Sequence, residues 1–444
     1  MKNLKKFNLL LMVLSSIILL GNFFLLVGNS TNLKYQNDFN LPNNSNSISP
    51  FWNFSLGVDE YVEAVAISSD GGYITAASNK IVSGIVLEST VYLFNNSLTG
   101  IIKPVWNFSI SNEFCSIGIS ADGSSIVVGS GYDDSKVYFF DYLNPIPIWN
   151  YSAGEGRVYD VWISNDGYYI AAASGSKKAF LFNKTGPSPF WEVSTTGLAL
   201  RVDASSNASF ITVSDNAHKL YLFNKSRSTS DWTFSFSLDM STALSMSADG
   251  NYIVSGSEAI YLFNKSSPTP IWAYPTSNYV RSVRITPDGR YIVAGCYDNN
   301  IYFFDRLNST PIWSYLTGGE LAAVDISDDG NYIVAQSLDD YMYLFNKDNS
   351  TPIGKYKLDG VSGMTYDYRL EISSDSKYVV AGGRNYLYFF DLGPIINPPD
   401  PPDPDPDPTE LIIPGYKILS AFLIITILVS VTINYKKLKQ SIKM

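Results

Sequence analysis

The sequence predicts an all-β fold, an eight-bladed β-propeller of four-stranded antiparallel blades, closed by an N-terminal strand that completes the last blade and followed by a C-terminal transmembrane helix. Two observations predict the propeller. The 444-residue chain is rich in aromatic residues, 14%, and poor in charged residues, 16%, which is typical of strands. The chain also repeats itself about every 40 residues, the period of one four-stranded blade.

Three motifs define the repeat. Ile-Ser-x-Asp-Gly-x-Tyr or a variant begins at Ile67, Ile119, Ile163, Ala204, Met246, Ile285, Ile326 and Ile372. Tyr-x-Phe-Asn/Asp or a variant begins at Tyr92, Tyr138, Phe180, Tyr221, Tyr261, Tyr302, Tyr343 and Tyr388. A Trp, usually after an apolar residue, stands at Trp52, Trp106, Trp149, Trp191, Trp232, Trp272 and Trp313, with Gly354 at the eighth place.

Each unit contains four short alternating stretches, which in the sixth unit are 280–285, 291–295, 301–305 and 311–315. The Asp-Gly pair between the first two predicts a tight hairpin turn, because Gly supplies positive φ and Asp bonds its own backbone. The chain starts with a Trp strand, 51–55, and ends with a third strand, 387–391. The first strand should therefore complete the last blade, which removes the open edges of the ring.

The predicted propeller covers residues 51–391, and the segments on either side of it predict a membrane anchor. Residues 1–27 combine a basic start with an apolar run and indicate a signal peptide or signal anchor, followed by a polar linker, 28–50. A Pro- and Asp-rich stalk, 392–410, precedes a transmembrane helix, 411–435, and a basic tail, 436–444. The lysines of the tail place the C-terminus in the cytoplasm and the propeller outside the cell membrane.

Asn-x-Ser/Thr sequons support the exterior location, since they are acceptors for N-linked sugars in exported proteins. Two of them, Asn29 and Asn43, precede the propeller. The glycosylation candidates within it are Asn53, Asn95, Asn107, Asn150, Asn183, Asn207, Asn224, Asn264, Asn308 and Asn349. Polar turn chemistry without any sugar is the alternative interpretation.

Charge and composition exclude several functions. Residues 28–410 hold 41 acidic and 23 basic residues, a net charge of −18, which repels nucleic acid. His218 is the only histidine and stands just before the strand 220–223, so we interpret it as a loop residue, and a metal site of several histidines cannot be built. Cys115 and Cys296 fall in the second and sixth units, across the ring, and are expected to be free buried thiols. We expect no catalytic residue, no metal and no cofactor.

One position per unit, just before the Ile-Ser pair on the innermost strand, carries a candidate site. Around the ring it is Ala66, Gly118, Trp162, Asp203, Ser245, Arg284, Asp325 and Glu371. Arg284, Asp325, Glu371 and Asp203 are the candidate ligand-binding residues, at one end of the central channel. Arg201, Arg281 and Arg369 are further candidates there. The alternative is that these charges pair with one another between adjacent blades.

The Tyr-x-Phe-Asp/Asn motif followed eight residues later by Trp, as in Asp141 to Trp149 and Asp305 to Trp313, resembles the repeat of pyrroloquinoline-quinone-type propellers. The Ser-x-Asp-Gly-x-Tyr hairpin resembles WD40-like repeats. Both resemblances imply a propeller, usually of eight blades in the quinoprotein-like group, with binding, scaffolding or catalytic roles. The glycine of the docking motif, the WD40 Gly-His and Trp-Asp pairs and the vicinal cysteines of quinoproteins are absent, so the chemistry does not carry over.

Three function classes remain. The leading one is a cell-surface, membrane-anchored binding or scaffolding module for proteins or glycans, which is not an enzyme. The second is a structural surface-layer component. The third is a quinone-dependent dehydrogenase-like or carboxylate-based enzyme. The tails, with Ile-Pro-Gly-Tyr before the membrane helix, resemble anchors of archaeal surface proteins.

Overall fold

The computed structural model describes residues 47–96, 102–237, 243–361 and 369–396. The predicted signal segment, most of the linker, the Pro/Asp stalk beyond residue 396, the membrane helix and the basic tail lie outside these ranges, as do Asn29 and Asn43. Within them, no helix has the length and apolar character needed to cross a membrane.

In the described residues, thirty-two strands form eight four-stranded antiparallel sheets, one per blade. Blade 1 contains β2 (Glu60–Ile67), β3 (Tyr73–Val82), β4 (Ile85–Asn95) and β5 (Trp106–Ile110), and blade 2 contains β6 (Phe114–Ile119), β7 (Ser125–Ser130), β8 (Lys136–Asp141) and β9 (Trp149–Ser152). Blade 3 contains β10 (Val158–Ile163), β11 (Tyr169–Ser174), β12 (Lys178–Asn183) and β13 (Trp191–Ser194), and blade 4 contains β14 (Ala199–Ala204), β15 (Phe210–Asp215), β16 (Lys219–Asn224) and β17 (Ser230–Ser235).

Blades 5 to 8 complete the ring. Blade 5 contains β18 (Ala243–Met246), β19 (Tyr252–Gly256), β20 (Ala259–Asn264) and β21 (Trp272–Pro275), and blade 6 contains β22 (Val280–Ile285), β23 (Tyr291–Cys296), β24 (Asn300–Asp305) and β25 (Trp313–Leu316). Blade 7 contains β26 (Leu321–Ile326), β27 (Tyr332–Ser337), β28 (Tyr341–Asn346) and β29 (Gly354–Lys357). Blade 8 contains β30 (Leu370–Ile372), β31 (Tyr378–Gly382), β32 (Tyr386–Asp391) and, as its outer strand, β1 (Trp52–Ser55).

The predicted closure of the ring is confirmed. Strand β1 pairs antiparallel with β32, with Trp52 opposite Phe389, so the N-terminal strand completes the last blade. The chain divides into two units after Leu392, and the described part of the second unit is one helical turn, α1 (Gly393–Ile396).

The Asp-Gly turns join the first and second strands of each blade, as predicted. In blade 6, Gly289 has φ of +71°, and Asp288 Oδ1 accepts a hydrogen bond from the Arg290 amide at 2.9 Å. The two degenerate copies keep the left-handed backbone with Ala208 and Ser376. Because the strands are antiparallel, these turns and the third-to-fourth connections lie at one end of the propeller, here called the Asp-Gly face, and the second-to-third turns lie at the opposite face.

The outer-strand tryptophans link neighbouring blades. Trp313, for example, donates its indole N–H to the Lys347 carbonyl of the next blade at 2.8 Å. Trp106, Trp149, Trp191, Trp232 and Trp272 make the same bond to a carbonyl of the following blade, and Trp52 donates instead to the side-chain Oδ1 atom of Asn96. Aromatic side chains from the third strands pack against these rings, and they dominate the fully buried core.

Gly354 occupies the eighth tryptophan position, and an N-terminal residue covers it. The Ile48 amide donates to the Lys355 carbonyl at 3.1 Å, and Ser47 forms a parallel bridge with Lys355. The Ile48 side chain is buried, and a Cβ added to Gly354 would overlap its Cγ2 atom. The segment before β1 therefore fills the space that the missing tryptophan leaves at the outer edge of blade 7.

Candidate functional site

The innermost strands surround a cavity of ≈ 270 Å³ in the central channel. Three of the four predicted ligand-binding residues, Asp203, Arg284 and Glu371, are among its lining residues, and Asp325 is buried and is not. The wall from blades 1 to 3 is small or apolar at this position, with Ala66, Gly118 and Trp162. Blades 4, 5, 6 and 8 supply polar groups. Asp160 and Asn165 of blade 3 also line the cavity, so small and apolar residues at this position on blades 1 to 3 stand beside a largely polar lining.

Side chains at the predicted position accept hydrogen bonds from backbone N–H groups of the following blade. Asp203 Oδ2 accepts from the Met246 amide at 2.8 Å, and Asp325 Oδ2 accepts from the Ile372 amide at 2.9 Å. Glu371 Oε2 accepts from the Ile67 amide across the closure of the ring at 3.2 Å. The inner strands have no further strand beside them, so these side chains satisfy N–H groups that face the channel.

Arg284 and Asp325 also pair directly. The Arg284 Nε and Asp325 Oδ1 atoms are 3.5 Å apart, and they connect blades 6 and 7. The alternative of pairing between adjacent blades is therefore realised for this pair, while Arg284 still lines the cavity. Arg284 thus links two blades and also presents its charge to the channel.

Burial raises the pKa of the channel carboxyls. Burial and the neighbouring Asp325 charge raise the pKa of Glu371 to about 8, against an ordinary value of 4.5. Burial raises the pKa of Asp203 to about 7 and that of Asp325 to about 6, although Arg284 opposes both shifts. Near neutral pH, Glu371 is therefore mostly protonated and offers an O–H donor as well as an acceptor to the cavity.

Further polar residues stand on the inner strands, and the sequence pattern missed two of them, Asp160 and Glu63. Asp160 Oδ2 accepts from the Val202 amide of the next blade at 3.0 Å. Arg369, a further predicted candidate, is buried and pairs with Glu63 at 3.4 Å, and it is not among the lining residues of the cavity. Arg201 lines the cavity. β-bulges in these inner strands, such as that between Val62 and Ala64, change which residues point inward. A search for a strict period of two therefore does not identify these residues.

The cysteines and the histidine stand apart from this site. Cys115 and Cys296 are free and buried, as predicted. Burial raises the pKa of Cys296 to about 12 and raises the pKa of Cys115 well above its ordinary value, so neither is a thiolate at neutral pH. His218 lies in the turn between β15 and β16 with φ of +64°. Across the described ranges, no group of three His, Cys, Asp or Glu residues could hold a metal ion.

The first tyrosine of the Tyr-x-Phe motif has a polar partner that sequence reasoning missed. Tyr302 donates its hydroxyl to Asp298 at 2.7 Å, at the opposite face. Equivalent tyrosine-to-carboxylate bonds come from Tyr92, Tyr138, Tyr221, Tyr261, Tyr343 and Tyr388. Blade 3 has Phe180 there. The signal was available in the sequence, because a tyrosine that recurs in seven copies needs a partner for its hydroxyl when it is buried.

The sequon asparagines fall into two groups. Asn95, Asn183, Asn224, Asn264, Asn308 and Asn349 lie at or after the end of a third strand, and Asn207 lies in a first-to-second turn, so all seven are on the Asp-Gly face. In Asn224, for example, Oδ1 accepts from the Ser226 amide at 3.0 Å, an Asx turn. Asn53, Asn107 and Asn150 are exposed on the outer strands of blades 8, 1 and 2.

The fold and the channel define a closed repeat propeller whose blades are joined by hydrogen bonds from side chains. Residues 269–305 match the family model of the WD40 repeat (WD domain, G-beta repeat). This segment runs from the outer strand of blade 5 through the three inner strands of blade 6. The match and the eight blades together support a WD40-like propeller. No curated protein matches the chain.

Proposed function

We propose that this chain is a non-enzymatic binding or scaffolding propeller, displayed on the outer side of a membrane, and that the mouth of its central channel contacts a protein or glycan partner. The channel cavity carries the proposal. It is concave, and it brings the polar side chains of Asp203, Arg284 and Glu371 together beside the ring of Trp162, as the convergent polar groups of a ligand site do. WD40 propellers usually bind or scaffold proteins and are seldom catalytic.

The hydrogen bonds of the channel carboxyls favour binding over catalysis. Asp203, Asp325 and Glu371 each use an oxygen to accept from a backbone amide of the next blade. A carboxyl that holds two blades together cannot move toward a reacting atom without opening that contact. These groups are therefore suited to recognise a bound group at fixed positions.

Display outside the membrane rests on features of the sequence. An apolar segment lies at each end of the chain, and the sequons recur along the propeller. Strands β1 and β32 pair in blade 8, so both tails depart from the same blade.

Treatment of intact cells tests the display. Cells that produce the full chain are exposed to an external protease or, separately, to a glycosidase that removes N-linked sugars. We expect the protease to release the propeller at the stalk and the glycosidase to lower its mass. A chain that stays intact and sugar-free on intact cells, but is cleaved once the cells are opened, would refute the exterior location.

Photo-crosslinking tests the channel. A photoreactive residue replaces Asn165, which lines the cavity, and a matched variant carries it at Lys177, an exposed residue of a second-to-third turn. We expect a discrete adduct on cells from the Asn165 variant and none from the Lys177 variant. If only the Lys177 variant forms an adduct, the partner contacts the opposite face, and the channel is not the contact site.

A further inference from the structure

A polar pocket of ≈ 250 Å³ lies on blade 1, outside the central channel. It is lined by Glu60, Lys80, Glu88, Thr90, Tyr92, Asn107 and Ser109. These residues share one face of the sheet, because the register pairs Lys80 with Glu88 and Tyr92 with Asn107. Asn107 and Ser109 are the first and third residues of the sequon Asn-Phe-Ser. A candidate glycosylation site thus forms part of a preformed polar pocket.

The pocket exists because blade 1 has a longer hairpin than the other blades. Strands β3 and β4 have ten and eleven residues, whereas the equivalent strands of blade 2 have six each. The extension carries Lys80 and Glu88, both exposed, beyond the end of β5. Along the ladder, Lys80 and Glu88 lie two residues to one side of the Thr90–Ser109 pair, and Asn107, opposite Tyr92, lies two residues to its other side.

Fixed hydrogen bonds hold the floor of the pocket. Glu60 Oε1 accepts from the Tyr92 hydroxyl at 2.9 Å and from the Ser78 hydroxyl at 2.6 Å. The Thr90 and Ser109 hydroxyls are 2.9 Å apart. A carboxylate, an ammonium group, an amide and paired hydroxyls are the donors and acceptors that match the hydroxyl and acetamido groups of a sugar.

We propose that Asn107 carries an N-linked sugar and that this pocket seats the first sugar residue, against Lys80 and Glu88. The inference rests on the proposed exterior location. In the transfer, the Asn107 carboxamide nitrogen attacks the anomeric carbon of a sugar carried on a lipid phosphate. The new C–N bond forms as the anomeric C–O bond to the lipid phosphate breaks, and the amide nitrogen loses one proton.

The chain contains two matched controls. Asn53 and Asn150 take the same place after the outer-strand tryptophan, on β1 and β9, opposite Tyr388 and Tyr138. Both are exposed sequon asparagines on the blades that flank blade 1. Neither is among the lining residues of the pocket, so a sugar on either would lack the seat.

The experiment compares sites within one protein. The full chain is produced in cells that attach N-linked sugars, each sequon is mapped by mass spectrometry, and sugars are removed enzymatically from the folded protein. We expect Asn107 to be modified and its sugar to be released about tenfold more slowly than that on Asn150 or Asn53. In the double variant K80A/E88A, the Asn107 rate should rise to that of Asn150, while Asn150 stays unchanged and reports intact folding.

The outcomes separate this inference from the proposed function. A bare Asn107 on a chain that carries sugars elsewhere would overturn the inference and leave the exterior location standing. Equal release rates from Asn107 and Asn150 in the parent chain would show that the pocket does not hold the sugar. Slow release from Asn107 that persists in K80A/E88A would show the same. A chain from its exterior location that carries no sugar at any sequon would overturn both the inference and the proposed glycosylation.

Discussion

The contact between Ile48 and Gly354 gives the sharpest test of how the ring is completed. Gly354 stands where seven other blades have tryptophan, and the buried Ile48 side chain covers it. Replacing Gly354 with alanine places a methyl group into the Ile48 Cγ2 atom, while the Ile48 Cβ would stay at an ordinary contact distance of 3.5 Å. The clash therefore comes from the end of the Ile48 side chain, and shortening that side chain should relieve it.

The magnitudes follow from this geometry. Overpacking by one methyl group in a filled space costs about 1–3 kcal/mol, so Gly354→Ala should destabilise the propeller by that amount. Ile48→Ala should cost about 2–3 kcal/mol, the low part of the usual range for a buried isoleucine, because the site is at the edge of the ring. Once Ile48 is alanine, Gly354→Ala should be neutral or stabilising by about 0.5–1 kcal/mol, since alanine suits a strand better than glycine.

A double-mutant cycle measures this coupling. Urea unfolding of the full chain in detergent, followed by tryptophan fluorescence, gives the free energy of unfolding of the parent, the two single variants and the double variant. We expect a coupling energy above about 1.5 kcal/mol between the two positions. If the two single effects add to within about 0.5 kcal/mol, the residues are independent and Ile48 does not replace the tryptophan.

Three further predictions concern the channel, a turn and the opposite face. The folded state keeps a proton on Glu371 up to pH about 8, whereas the unfolded chain loses it near 4.5, so the free energy of unfolding should fall as the pH rises from 4.5 to about 8. In urea unfolding at a series of pH values, Glu371→Gln should flatten this dependence on pH. Gly289→Ala should lower the melting temperature, costing roughly 1–3 kcal/mol, because φ is positive and the new Cβ lies 2.7 Å from a tyrosine ring. Gly186→Ala, in open space, should leave melting unchanged. Tyr302→Phe should cost roughly 1–3 kcal/mol in urea unfolding by removing the hydroxyl donor to the Asp298 carboxylate, which keeps its bonds from the Ser277 and Asn300 amides.

The blade architecture could be predicted because it depends on local signals. The Asp-Gly pair specifies a turn wherever it stands, and eight such signals at one period define eight blades. Closure followed from the missing outer strand of the last unit, and the pairing of Trp52 with Phe389 confirms it. The outer strand of blade 6 was predicted at 311–315 and is Trp313–Leu316, since Pro311 has no N–H to donate to the ladder.

The contacts of the channel could be predicted only in part, because their partners are on different blades. Asp203 was identified as an inward-facing charge, but its acceptor role depends on Met246, 43 residues later. The bulge that brings Glu63 to Arg369 across the closure leaves no mark in the sequence pattern. A period-two pattern places a side chain on a face of its own strand and carries no information about the neighbouring blade.

The residue before the Ile-Ser pair either bonds to the next blade or leaves space for the cavity, and these two roles explain why it varies around the ring. Where it is Asp203, Ser245, Asp325 or Glu371, it satisfies a channel-facing amide of the next blade. Where it is Ala66 or Gly118, no side chain can reach that amide, and the space remains open as part of the cavity. The small lining residues of the cavity therefore lie where this position makes no interblade bond, on blades 1 and 2. A ligand seated there would meet small and apolar groups first and would reach the polar groups of blades 4, 6 and 8 across the channel.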